Sequence, residues 1–289
     1  KIFYMLKIAV LIACHNRKKK TIKCLQKLYA QKNIENIKFK VFLVDDGSSD
    51  GTEHAINQSF PDVVIIKGSG SLFWARSMAL AWEESLKYIE KFDYFLWLND
   101  DTYLYDKALS ELIKTQINKT EIAIGSVCDP ITKKRTYGGW RFTNKYLRPF
   151  KFKIVDVNSE IQKIDIFNGN VVLIPYLVYR KIGVIDNFFK HAYADVEYSL
   201  RAKKNGIIIL LANKYLGECS GHTFNYEDYQ KKSLFKKISN IFDHKNVPLR
   251  DWFRMTYKYG GLFWPLHFFI GYIKSIIRIL YNHKYIDIN

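Results

Sequence analysis

Cysteine is scarce in this chain, with four among 289 residues. Cys14, Cys24, Cys128 and Cys219 show no CxxC spacing, and the first residues do not resemble a cleavable secretory signal. We therefore expect a reducing cytoplasm as the environment, with the four side chains acting as small apolar fillers.

The sequence also lacks an apolar run that could cross a bilayer as a helix. The candidate at 262–273 has only about a dozen residues, interrupted by Pro265, His267 and Gly271, whereas roughly 20 are needed. Cations and rings surround this run: Arg250, Trp252, Arg254, Lys258, Lys274, Arg278 and Lys284. This mixture favours a helix on an anionic membrane surface, at the inner face of the cell membrane. A helical cap that packs on the protein, or on another subunit, is the alternative.

Acidic residues are outnumbered, because 45 Lys and Arg face 28 Asp and Glu for a net charge of +17. An excess of this size attracts anions such as nucleotide phosphates, an acidic bilayer or nucleic acid. No RNA-recognition signature is visible, and we expect no nucleic-acid partner. A hydrophobic fraction of 48% with 25% charged residues excludes wholesale disorder.

Apolar runs and helical periodicities alternate in the first half of the chain. Strands are predicted at 7–13, 39–44, 63–66, 94–98 and 122–127, and helices at 18–31, after Thr52, at 73–88 and at 107–118. This alternation predicts an α/β fold with a mainly parallel central sheet flanked by helices.

The pattern changes after Asp129. Residues 135–150 are rich in glycine, rings and cations and predict hairpins. A strand at 171–174, helices at 176–181 and 195–204 and a strand at 207–211 follow, with Asp195 as a helix cap, before a helical stretch begins near Tyr226. We expect a catalytic domain at 1–225, with a nucleotide-binding half at 1–127 and an acceptor half at 128–225. A basic, aromatic helical extension would occupy 226–289.

Three polar clusters follow predicted strands: 13–17, 45–47 and 99–101. Ligands of open parallel sheets bind beyond the carboxyl ends of the strands, so we expect these clusters to meet in one crevice. Asp100 and Asp101 follow the apolar run 95–98, where adjacent carboxylates are costly unless a cation or donors compensate them. Mg²⁺ or Mn²⁺ on a diphosphate would do so. A solvated turn with a helix cap is the alternative.

The segments 8–17, 44–52, 98–102 and 194–201 together resemble the family 2 glycosyltransferases of GT-A fold, of the type that builds bacterial cell-surface polysaccharides such as O-antigen. The resemblance covers roughly residues 7–222. It implies an inverting, metal-dependent transfer of a sugar from a nucleotide-diphosphate sugar to a hydroxyl of a glycan acceptor. The basic tail adds the hypothesis that this acceptor is lipid-linked.

The resemblance also implies roles for single residues. Asp46 and His15, with the backbone near Ala13, would hold the nucleoside; Asp100 would lie against the ribose or the metal, and Asp101 would ligate Mn²⁺ or Mg²⁺ with His222. Asp195 would be the general base, with Glu197 as the alternative because Ala194 stands where an acid is common. Further expected donor-binding residues are Asn16, Arg17, Gly47, Trp74, Arg76, Asn99, Gly169 and Asn170.

Two other activities on a similar fold stay open. A sugar nucleotidyltransferase also binds a nucleotide over a parallel sheet with acidic metal ligands, but the loop Cys14–Arg17 has no glycine where that class has a glycine-rich one. A catalytically silent carbohydrate-binding protein is the second alternative.

Overall fold

A computed structural model describes residues 5–88, 91–144, 148–221, 231, 233–243 and 246–280. In this part of the chain the strands are β1 (Leu6–Cys14), β2 (Ile37–Asp45), β3 (Val64–Lys67), β4 (Tyr94–Leu98), β5 (Tyr103–Leu104), β6 (Ile122–Cys128), β7 (Arg135–Tyr137), β8 (Gly139–Asn144), β9 (Arg148–Val155), β10 (Gln162–Ile164), β11 (Ile166–Phe167), β12 (Val171–Pro175) and β13 (Ile209–Glu218). The helices are α1 (Lys18–Tyr29), α2 (Thr52–Ser59), α3 (Phe73–Leu86), α4 (Ala108–Thr115), α5 (Tyr176–Ile182), α6 (Ala194–Lys204), α7 (Leu234–Ile241), α8 (Leu249–Tyr259) and α9 (Trp264–Leu280).

The central sheet has the strand order β10-β13-β6-β12-β4-β1-β2-β3. Strands β1, β2, β3 and β4 are parallel, as are β6 and β13. Residues Ile8–Ile12 of β1 are fully buried because helices cover both faces, which explains their uninterrupted apolar run. The predicted α/β fold, with a mainly parallel sheet flanked by helices and a helical C-terminal region, is confirmed.

Strand β12 is an exception to the parallel arrangement. It lies between β4 and β6 and runs antiparallel to both. Between β6 and β12 the described residues form β7–β11 and no helix that would carry the chain back to the opposite end of the strands. The chain therefore re-enters the sheet from the end at which it left. Residues 168–170, which precede β12, therefore lie beside the carboxyl end of β4. The segment predicted as hairpins forms β7, β8 and β9, with β8 and β9 antiparallel.

The last strand differs from its prediction. A strand was expected at 207–211, but β13 spans Ile209–Glu218. Its pairing with β6 shifts register between Leu211 and Tyr215, where Asn213 and Lys214 are exposed. Polar residues at such an irregularity interrupt the apolar pattern, so the sequence did not indicate that the strand continues. The extension brings Cys219 to the rim that carries the acidic pair.

Aromatic packing ties the sheet to the helix that carries Asp195. The ring centroid of Trp97 on β4 lies 5.8 Å from that of Trp82 on α3 and 5.0 Å from that of Tyr198 on α6. All three side chains are fully buried. Such large buried rings fix the relative placement of their elements.

Helices α8 and α9 pack against each other at the end of the described chain, joined by a 3-10 turn at Gly261–Phe263. Trp252 of α8 is buried and donates its indole N–H to the carbonyl of Phe268 at 3.1 Å. Within the described ranges, no helix combines the length and the hydropathy needed to span a bilayer.

Candidate active site at the carboxyl edge of the sheet

The two adjacent carboxylates at the end of β4 share one cation from the protein itself. Nη1 of Arg17 lies 3.0 Å from Oδ1 of Asp100 and 3.0 Å from Oδ2 of Asp101. Arg17 stands between β1 and α1, so the fold brings the first and third predicted clusters together. The sequence pattern did not reveal that this guanidinium meets the acidic pair.

Asp100 is the more buried of the two acids, with a side-chain exposure of 5% against 18% for Asp101. Burial raises the pKa of Asp100 to about 6; Asp101 adds to this rise, and Arg17 opposes it. Its second oxygen receives a long hydrogen bond of 3.4 Å from the hydroxyl of Thr21. Asp100 therefore carries a charge that the protein compensates only in part.

The remaining oxygen of Asp101 faces Cys219, whose thiol donates to Oδ1 at 3.6 Å. Burial and the neighbouring Asp101 raise the pKa of Cys219 to about 12, so this side chain is a neutral thiol. Among the residues that the structure describes, all four cysteines are free and buried, and no three His, Cys, Asp or Glu side chains form a metal cluster. His222, the other expected metal ligand, lies outside the described residues.

Asp100 and Asp101 nevertheless fit a divalent cation in their chemistry. They offer two carboxylates at one point, one with a raised pKa that signals incomplete compensation. Mg²⁺ and Mn²⁺ are commonly held by one or two carboxylates together with phosphate oxygens of a substrate. The protein groups described here would supply a minority of the ligands, and a diphosphate would supply others.

Asp46 is committed to the backbone of the loop before α3. Its carboxylate accepts the amides of Gly70 at 2.7 Å, Leu72 at 2.9 Å and Phe73 at 3.0 Å. The nucleoside role expected for Asp46 stays a prediction, but these bonds give the residue a structural task that the sequence did not indicate. Gly47 has a φ of +76°, and a Cβ there would lie 2.9 Å from the Cα of Gly70. The loops after β2 and β3 are thus in close contact.

His15 and Asn16 are exposed beside this loop. Nδ1 of His15 lies 2.6 Å from the carbonyl oxygen of Asp46, and Oδ1 of Asn16 accepts the amide of Ser49 at 2.8 Å. Ala13 lies at the end of β1, which places all three at the expected edge. Asp50, in the turn after β2, accepts the amides that begin both α1 and α2.

Trp74 connects the acidic cluster to the loop before β12. Its indole N–H donates to Oδ1 of Asn99 at 2.8 Å. A Cβ on Gly169 would lie 2.4 Å from Cζ2 of Trp74, so the glycine is required by the indole. The expected role of Gly169, close approach to a donor sugar, stays a prediction beside this packing reason.

Asp195 contacts the loop before β12 through Gly169. Its Oδ2 accepts the amide of Gly169 at 3.1 Å and its Oδ1 that of Val196 at 2.8 Å. Burial raises its pKa, and these two amides oppose the rise. Asp195 does not cap its helix as expected: α6 begins at Ala194, and the residue before it, Tyr193, has a φ of +67°.

Glu197, the alternative base, has internal partners on both oxygens. It is fully buried, and its two oxygens receive Arg201 at 3.0 Å and Tyr259 at 2.8 Å, as well as the ammonium group of Lys258. These contacts give Glu197 the structural task of joining α6 to α8. The base role that the resemblance offers for it stays a prediction.

Two other expected donor-binding residues have internal partners. Arg76 donates from Nε to the carbonyl of Asn187 at 3.0 Å, and it lines a surface pocket of about 350 Å³ with Leu72, Leu80 and Glu83. Asn170 is buried and donates to the hydroxyl of Thr102 at 3.3 Å. The donor contacts expected of both residues stay predictions.

The comparisons with known proteins identify the family and the fold. The family model described as "Glycosyl transferase family 2" matches residues 9–170. No curated protein matches the sequence.

Among solved structures, the chain is similar to the mannosyltransferase PcManGT from Pyrobaculum calidifontis in complex with GDP-Man and Mn²⁺, with 13% identity and a TM-score of 0.56 over 96% of this chain and 74% of that one. It is also similar to TarS from S. aureus, with 11% identity and a TM-score of 0.51 over 87% of this chain and 42% of that one. Identities this low show a shared fold alone, whereas the family match extends over more than half of the chain. The chain belongs to glycosyl transferase family 2.

Proposed function

We propose that this protein is an inverting glycosyltransferase that moves a sugar from a nucleotide-diphosphate donor to a hydroxyl of a glycan acceptor in cell-surface polysaccharide synthesis. One observation carries the proposal: an unbroken series of contacts joins the acidic pair to Asp195 through Asn99, Trp74 and Gly169. A group that would hold a diphosphate and a group that could take a proton thus line one edge of the sheet.

Asp195 is the proposed general base. Each of its oxygens accepts one backbone amide, and the side chain of Asn168 also hydrogen-bonds to the carboxylate. A carboxylate has about four lone-pair sites, so it can still accept an acceptor hydroxyl. As that hydroxyl attacks the anomeric carbon, its proton passes to Asp195, and the bond from the anomeric carbon to the donor phosphate breaks with its electrons on the leaving diphosphate. A pKa raised by burial strengthens Asp195 as a base. In-line displacement of this kind inverts the anomeric centre.

The charge of the leaving group needs a counter-charge. Asp101, with Asp100 beside it, would hold Mn²⁺ or Mg²⁺, and His222 stays a proposed additional ligand. When bound, the ion would neutralise charge on the diphosphate. Arg17 is already between the two carboxylates and offers further N–H donors to phosphate oxygens. The complex of PcManGT with GDP-Man and Mn²⁺ supports both a nucleotide-sugar donor and a divalent ion.

A membrane surface is the proposed location of the acceptor, as a lipid-linked glycan at the inner face of the cell membrane. The described C-terminal helices expose large apolar side chains in close succession, including Leu249, Phe253, Tyr257, Phe263 and Phe269. Phe263 is 62% and Phe269 60% exposed, and Arg250 of α8 and Lys274 of α9 are exposed as well. Apolar stripes flanked by cations suit an anionic interface.

The experiment is a screen of nucleotide sugars by thermal shift with and without Mn²⁺, followed by a transfer assay with the stabilising donor. Asp195→Asn should lower kcat by about 10²- to 10⁴-fold and leave donor binding in place. The control is Asp62→Asn, an exposed residue just before β3, at the opposite end of the sheet. Nucleotidyltransferase activity with a sugar phosphate and a nucleoside triphosphate, without sugar transfer, would contradict the proposal. Donor binding with no turnover would favour the silent carbohydrate-binding protein.

A further inference from the structure

Helix α6, which carries Asp195, is in contact with the C-terminal helix α8. Asp195 lies between Tyr193 and Glu197, and the amide of Glu197 donates to the carbonyl of Tyr193 at 2.7 Å. These two flanking residues both contact α8. The ring of Tyr193 is 5.5 Å from that of Trp252, and the carboxylate of Glu197 receives Lys258 and Tyr259.

The backbone at Tyr193 needs such support. Its φ of +67° is in the left-handed region, which is costly for a residue with a large side chain. Trp252 is itself fixed, because its indole N–H bonds to Phe268 and a Cβ on Gly271 would lie 2.7 Å from its Nε1. The segment that presents Asp195 therefore keeps an unfavourable conformation against a rigid partner.

Charged contacts join α6 to α8 in addition to the aromatic packing. Glu197 is 0% exposed, so its charge must be matched by internal donors. Arg201 comes from the same helix, whereas Lys258 and Tyr259 come from α8. Helix α8 forms a second ion pair, between Arg254 and Asp186 at 2.7 Å, which attaches α8 to the loop before α6.

We propose that Glu197 is a positioning residue, which fixes Asp195 for catalysis by joining α6 to Lys258 and Tyr259 of α8. The catalytic role of Asp195 in this inference rests on the proposed function. The C-terminal helices are then part of the catalytic apparatus as well as a surface for a membrane. Removing their contacts should loosen the base and leave the donor side, built on Arg17 and Asp100–Asp101, intact.

The test compares Lys258→Met/Tyr259→Phe with the matched control Lys87→Met/Tyr88→Phe. The control makes the same chemical changes in an adjacent, exposed Lys–Tyr pair at the end of α3. Amide hydrogen exchange of residues 193–197 should speed up by about tenfold or more in the first protein and stay unchanged in the control. In the transfer assay, kcat per donor-binding site should fall about ten- to a hundredfold with the donor Kd within about twofold of wild type.

A role confined to overall folding would lower the fraction of donor-binding protein and leave kcat per site unchanged, which would overturn the proposal. Unchanged exchange at 193–197 would overturn it as well. If the double variant does not fold, Tyr259→Phe alone, which keeps the ion pair with Lys258, supplies both measurements. A wild-type protein that transfers no sugar would count against the proposed function, whereas faster exchange at 193–197 would still support the positioning role.

Discussion

Arg17 donates to the carboxylate of Asp101 at 3.0 Å while the same Nη1 contacts Asp100. The guanidinium thus occupies the position between the two carboxylates at which a bound divalent cation would interact most strongly with both. Replacing it leaves two neighbouring carboxylates without their partner. A divalent ion should then bind better, although the protein without the ion is less stable.

We therefore expect Arg17→Met to lower the free energy of unfolding by about 1 kcal/mol, a modest value because the arginine side chain is 40% exposed. Added Mn²⁺ should raise the melting temperature more in this variant than in wild type. Lys18→Met, at the next position, is the control. An equal Mn²⁺ effect in all three proteins would argue against competition between Arg17 and the ion.

The buried Asp100 should make stability depend on pH. Its pKa in the folded protein is about 6, above its ordinary value of 3.8, so folding favours the protonated acid. This contribution is fully present below pH 3.8 and is lost as the pH rises through 6. The Asp100→Asn variant has no carboxyl group to titrate at this position. Its free energy of unfolding relative to that of wild type should therefore increase by about 2 kcal/mol between pH 4.5 and pH 7.

Urea unfolding of both proteins at the two pH values measures this difference. The effect of Arg17 on Asp100 is already part of the folded pKa, so it needs no separate correction in the comparison. A relative stability that does not change with pH would mean that Asp100 titrates near its ordinary value.

Gly169 should not tolerate a side chain. A Cβ would lie 2.4 Å from Cζ2 of Trp74, so Gly169→Ala must displace the indole and weaken its bond to Asn99. We expect a loss of about 1–3 kcal/mol in the free energy of unfolding and a lower kcat for transfer. Adding Trp74→Phe, which removes the obstructing ring atoms, should recover part of the stability. Purely additive losses in the double variant would show that the two residues do not conflict.

The exposed rings of the C-terminal helices should control vesicle binding. We expect Phe263→Gln/Phe269→Gln to reduce binding to vesicles containing phosphatidylglycerol by about ten- to a hundredfold, because each ring loses its burial in the interface. The control is Ile117→Gln/Ile131→Gln, since those side chains are 76% and 89% exposed elsewhere on the protein. Sedimentation with vesicles measures both. Equal binding by all three proteins would contradict a docking role for these helices.

Local patterns predicted much of this architecture because the relevant forces act between near neighbours in the sequence. The buried run of β1 and the turn residues after β2 indicated their structures directly, and the position of Asp100–Asp101 at the rim followed from strand direction alone. The reversal of β12 was not predictable in this way, because its direction depends on what the preceding excursion does in space. The same limit applied to Glu197, whose partners Lys258 and Tyr259 are about sixty residues distant in sequence.

Asp46 illustrates a different limit. A carboxylate after a strand is compatible both with ligand binding and with service to a neighbouring loop, and only the three amides at Gly70, Leu72 and Phe73 distinguish the two. Their donors belong to a loop more than twenty residues away. Residue type and strand position therefore identified the site's location better than the task of each side chain.

The antiparallel course of β12 has a consequence for how such a protein can diversify. Because β6 and β12 are hydrogen-bonded neighbours, the excursion between them begins and ends at nearly the same point of the sheet. Loops whose ends are already joined accept changes in length at a small entropic cost. On the proposed function, this excursion can be lengthened, shortened or exchanged to suit another acceptor, while the half proposed to bind the nucleotide keeps its framework.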